Sequence, residues 1–111
     1  MDNMTMNDYQ QAARRTALYP RHLAVIYPTI GLAGETGEVA EKVKKTLRDN
    51  NGTFDDERRD AIMRELGDVL WYVANIAADL GLSLDDIAST NLDKLASRAA
   101  RNRLHGDGDN R

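Results

Sequence analysis

Two acidic pairs carry the chemistry that this sequence suggests: Glu35 and Glu38 in Gly34-Glu35-Thr36-Gly37-Glu38, and Glu65 and Asp68 in Glu65-Leu66-Gly67-Asp68. Each pair is spaced i, i+3, which on a helix puts both carboxylates on one face. Two such helices side by side can bring four carboxylates to one point. Four unneutralised anions repel strongly, so such a cluster makes sense mainly around hard divalent cations. A third string, Asn91-Leu92-Asp93-Lys94, offers complementary chemistry: an amide and a cation for phosphate oxygens. Asn91, Lys94 and Arg98 follow i, i+3, i+7 and share a helix face, with Lys94 suited to act as a point charge and Arg98 as a planar fork. The combination points to a metal-dependent reaction on a phosphorylated substrate.

Each feature also has a plainer reading. Glu38 with Lys42 and Glu41 with Lys45 have the spacing of ordinary i, i+4 surface ion pairs. That explains Glu41 well but leaves Gly31, Gly34 and Gly37 without a reason, since glycine costs a helix interior about 1 kcal/mol relative to alanine. Asn91, close to the apolar stripe of Leu84, Ala88 and Leu95, could be a buried, satisfied amide, and Lys94 and Arg98 solvated surface. Tyr72, one turn beyond Asp68 on the same face, could contact a sugar or base, or simply pack. Trp71 reads as interface rather than a stacking platform. His22 and His105 lack metal-ligand spacing, and Arg14 and Arg15 read as surface.

These residues need helices to position them. The only prolines are Pro20 and Pro28, and the rest is rich in good helix formers. Four helices are expected, over roughly 5–18, 28–48, 55–80 and 83–102. Pro28 suits a first helical turn, Asp49-Asn50-Asn51-Gly52 is a stop, Gly81 is a C-terminal cap, and Ser83 with Asp86 resembles a capping box. No strand-period segment and no repeat is present. In the third helix Ile62, Leu66, Val69, Val73, Ile76 and Leu80 form one apolar stripe, while Gly67, Trp71, Ala74 and Ala78 form a second, nearly opposite. A helix apolar on two faces is covered on both, which favours self-association unless helix 1 or helix 4 of the same chain covers one. Glu65, Asp68, Tyr72, Asn75 and Asp79 form a polar strip between them. The ending Gly106-Asp107-Gly108-Asp109-Asn110-Arg111 reads as a flexible tail.

A chain of 111 residues is one domain. With 15 basic against 18 acidic residues it lacks the charge of a nucleic-acid binder. The absence of cysteine excludes disulfides and thiolate metal sites. No apolar run approaches membrane-spanning length, and 1–9 is polar, without a signal-like segment. The expectation is a cytoplasmic protein with no nucleic-acid and no membrane partner.

Gly34-Glu35-Thr36-Gly37-Glu38, followed after a loop by Glu65-Leu66-Gly67-Asp68-Val69-Leu70-Trp71-Tyr72, resembles the MazG-like all-α nucleoside triphosphate pyrophosphohydrolases, whose signature is ExxE, a spacer, then ExxD. Asn91-Leu92-Asp93-Lys94-Leu95 with Arg98 looks like the family's phosphate-contacting segment, and the tail looks like that of short, phage-type members. The resemblance implies an all-α four-helix fold assembled as a homodimer or dimer of dimers, with residues 1–103 as the domain and 104–111 as the tail. It implies Mg²⁺, with Mn²⁺ as an alternative, held by Glu35, Glu38, Glu65 and Asp68. Water would attack the α-phosphorus of a nucleoside triphosphate to give a monophosphate and pyrophosphate, as nucleotide-pool housekeeping. Glu38 is the candidate for the proton acceptor; Asn91, Lys94, Arg98 and Tyr72 are the candidate substrate contacts. Two other readings stay open: a phosphoribosyl-ATP pyrophosphohydrolase, and a non-catalytic oligomerisation module with a structural metal.

Overall fold

A computed structural model describes residues 3–111; Met1 and Asp2, at the start of the expected domain, lie outside the described residues. Among the described residues the structure is all helical, with α1 (Met6–Arg14), a single 3₁₀ turn (Arg21–Leu23), α2 (Ile26–Asn50), α3 (Asp56–Asp79) and α4 (Leu84–Ala100).

Local chemistry sets each boundary. Thr5 and Asp8 form a reciprocal capping box at the start of α1. The Asp55 side chain accepts from the Arg58 amide at 3.0 Å and opens α3, and Ser83 accepts from the Asp86 amide at 3.0 Å and opens α4. Asn51 and Gly52, both at positive φ, end α2, and Gly81 (φ 72°) turns the chain between α3 and α4. Helix α1 is shorter than its periodicity suggests and stops at Arg14. Helix α2 begins at Ile26, so Pro28 falls in its first turn, where no intrahelical donor is lost.

The long helices α2 and α3 pair as a hairpin, with α1 packed on α3 and α4 on α1. The polar strip of α3 is the face turned toward α2. The Tyr72 ring fills the place of a side chain at Gly31, and Lys42 Nζ lies 3.7 Å from Glu65 Oε1. The Trp71–Ala74 face is covered within the chain. Ala74 packs with Ala13, Ala77 and Leu84, and Trp71 Nε1 donates to Thr16 Oγ1 at 2.8 Å. Buried Gln10 clasps the three elements together, donating to the carbonyls of Ala74 (3.2 Å) and Leu82 (3.0 Å) and accepting from the Leu84 amide (3.2 Å).

The segment between α1 and α2 is pinned by one carboxylate. The side chain of Asp79 has no solvent exposure. It accepts from Tyr19 Oη (2.6 Å), Arg14 Nη1 (2.8 Å), Arg21 Nη1 (3.0 Å) and the Val25 amide (2.9 Å). Burial alone would raise its pKa; these four donors outweigh it and hold the carboxyl well below the usual carboxylate range. Val25 itself stands at φ 68°, an unfavourable conformation for a β-branched residue, and is kept there by that bond. Arg14, which the sequence assigns to the surface, belongs to this network and also donates to Asn75 Oδ1 at 3.1 Å.

The apolar core of the single chain is small. Much of the expected α3 stripe remains open, with Leu66 and Leu80 more than half exposed, and Ile30 and Leu47 of α2 are exposed as well. The radius of gyration is 16.8 Å, against about 13 Å for a compact domain of this length. The accessible surface is 8013 Å², where a monomer of this mass has about 6,100 Å².

Candidate functional site

The α2–α3 hairpin sets its two acidic pairs against each other. One carboxylate oxygen from each of Glu35, Glu65 and Asp68 lies within 4.8 Å of the other two. Glu35 and Glu65 are half-buried and Asp68 is exposed. Glu38, the fourth carboxylate named by the sequence, is exposed and outside this group, although its charge still reaches Glu35. The Glu35 carboxyl is pushed above its ordinary range, first by a hydrogen bond to Glu65, then by burial, then by the charges of Asp68, Glu65 and Glu38. Carboxylates held this close repel one another. An all-oxygen donor set with this residual repulsion fits a hard divalent ion.

The charges of the acidic group reach two phenols. Tyr72, from the same strip of α3, is raised by burial and then by Tyr27, Glu35 and Asp68. Tyr9 of α1 is raised by burial and then by the charge of Asp68. Nothing in the spacing of the sequence singles out Tyr9, far from Asp68 along the chain. Trp71 stands edge-on to Tyr72, ring centroids 5.0 Å apart.

The third string lies elsewhere. Helix α4 packs chiefly against α1, with Leu84 at its start meeting Ala74 and Ala77 of α3. Asn91 is exposed and lines a cleft of about 340 Å³ with Leu82, Asp86, Ile87, Thr90 and Lys94. Arg98 is buried. Lys94 and Arg98 do share one face, and both are engaged by the residues that follow α4.

The family profile described as the MazG nucleotide pyrophosphohydrolase domain matches residues 29–101, a span holding both acidic pairs and Asn91, Lys94 and Arg98. Over 114 residues the chain is 46% identical to "Gene 37 protein" of Mycobacterium phage L5, with 97% of this chain and 100% of that protein covered. No solved structure matches. Among the described residues, no helix is long and apolar enough to cross a membrane.

Proposed function

The chain belongs to the MazG nucleotide pyrophosphohydrolase family, and on that premise we propose that it is a Mg²⁺-dependent hydrolase of nucleoside triphosphates, releasing a monophosphate and pyrophosphate. The observation that carries this reading is the convergence of Glu35, Glu65 and Asp68 within 4.8 Å. These three would hold the cation, with Glu38, one turn from Glu35, as the fourth carboxylate and the acceptor of the attacking water's proton. A bound Mg²⁺ supplies charge neutralisation for the phosphates and a lowered pKa for water. Tyr72, wedged between the helices beside the acidic group, orients the sugar or base. Lys94, Asn91 and Arg98 bind phosphate oxygens.

The assembly proposed with this function is a homodimer or dimer of dimers. It is supported by the open Leu66 and Ile30 surfaces and by a surface area well above that of a compact monomer. Because α4 packs chiefly on α1, its phosphate-binding face would join the carboxylates of the partner.

The test is pyrophosphate release from a panel of ribo- and deoxyribonucleoside triphosphates and from phosphoribosyl-ATP, with Mg²⁺ and with EDTA. Metal-dependent release from any of them supports the reading. No release from the whole panel, or hydrolysis confined to phosphoribosyl-ATP, would replace it.

A further inference from the structure

The chain does not trail away after α4. Asn102, at φ 57°, reverses its direction, and the last residues return along the helix they follow. Arg98 donates to the carbonyls of Asp109 (2.5 Å) and Gly108 (3.4 Å). The Asp109 carboxylate lies 3.0 Å from Lys94 Nζ and 3.6 Å from the Arg98 guanidinium. The turn is closed by Arg111, which donates to the carbonyls of Gly108 (2.6 Å), Leu104 (3.0 Å) and Arg103 (3.2 Å). Gly106 (φ 145°) and Gly108 (φ 82°) supply backbone conformations that other residues rarely adopt. This cover leaves the Arg98 side chain only 5% exposed.

We propose that the tail is a built-in competitor: Asp109 occupies the Lys94–Arg98 cation pair, and a phosphate-bearing ligand must displace it to bind there. A carboxylate and a phosphate present the same kind of oxygen acceptors to an ammonium and a guanidinium. Lys94, then Arg98, hold the Asp109 carboxyl below its usual range, so it is anionic when a ligand arrives. Its own side chain is 84% exposed, which makes this a weak surface pair. A polyphosphate brings several charges to the same two cations and displaces it. The open cleft beside Lys94, lined by Thr90 and Asn91, gives the incoming ligand its point of entry. The tail then sets the threshold at which α4 accepts a ligand. The idea rests on the phosphorylated-substrate reading above, but its test does not require turnover.

Inorganic pyrophosphate is titrated by calorimetry into the full-length protein in EDTA, alongside Asp109→Asn, Asp107→Asn and Lys94→Gln. Asp109→Asn should tighten binding about two- to fivefold, the scale of one exposed ion pair. Asp107→Asn, the same charge change two residues away, should tighten it less, and Lys94→Gln should remove most of the binding. In wild type the amide resonances of Gly108 and Asp109 should shift as pyrophosphate saturates. Equal constants for the two Asn variants, or tail amides that stay in place at saturation, would overturn the proposal. If nucleotide hydrolysis fails while these binding results hold, the error lies in the proposed activity and not in the tail.

Discussion

Gly31 and Tyr72 compete for one volume between α2 and α3: a Cβ on Gly31 would stand inside the Tyr72 ring. The other two glycines of α2 are different, since a Cβ at Gly34 or Gly37 would touch nothing within 4 Å. Of three glycines that the sequence marks as needing close approach, one has its reason inside the chain.

Gly31→Ala should therefore destabilise the protein by about 1–3 kcal/mol, the usual cost of overpacking, despite alanine's advantage of about 1 kcal/mol in a helix. With Tyr72→Ala in the background the sign should reverse, because only the helix advantage remains. Urea denaturation of the four proteins in this cycle measures it. A Gly31→Ala variant as stable as wild type with Tyr72 present would mean the ring moves aside freely.

Asp79 should give the protein an acid-sensitive component. Its folded pKa lies below its unfolded value, so the stability it contributes is fully present above the unfolded pKa of about 3.9. It is lost as pH falls toward the folded value. Melting temperatures measured from pH 7 down to pH 2.5 should show this decline in wild type and a shallower one in Asp79→Asn. At pH 7 the substitution should cost about 2–3 kcal/mol, discounted from the range for a buried pair because Arg14 and Arg21 are partly solvated. Parallel pH profiles would show that the network does not titrate through Asp79.

Glu35→Gln should leave the metal-free protein folded, since it removes one of several crowded charges. Turnover at saturating Mg²⁺ should fall by more than the ~10–100-fold that loss of an outer-shell partner costs a metal site. Glu38→Gln is the sharper experiment, because Glu38 lies outside the group of three. A comparable loss of turnover is expected. A rate near wild type would take Glu38 out of the reaction.

Leu66→Glu and Ala74→Glu should fail in different ways. Leu66 is 51% exposed and Ala74 fully buried in the single chain. A charge at Ala74 is buried unpaired and should unfold the protein. A charge at Leu66 should leave helicity by circular dichroism intact while lowering the mass seen by light scattering. A wild-type protein that already scatters as a monomer at micromolar concentration would remove the proposed assembly.

The sequence made the helices legible because their stops are chemical: Ser83, Gly81 and the Asn51-Gly52 turn act through local bonds that spacing reveals. The meeting of Glu35, Glu65 and Asp68 was legible for the same reason, two i, i+3 pairs on neighbouring helices. What spacing could not give is which face of α3 turns toward which neighbour. The alternation of its residues supports two apolar faces. The chain covers the Ala74 side with α1 and α4, turns the polar strip to α2, and leaves much of the Leu66 stripe open. The Asp79 network was hidden because its donors come from four places in the segment 14–25, a stretch with no period at all.

The thin interior of the single chain has a consequence for how the folded protein comes into being. Ala13, Ala74, Ala77 and Leu84 form its buried apolar cluster, little to set against the ordering entropy of a hundred residues. On the proposed assembly, folding is then a second-order process. Newly made chains mature at a rate set by how often they meet, and the refolding half-time after dilution from urea lengthens as protein is made scarcer. Low abundance would expose the chain to proteases before it finds a copy of itself.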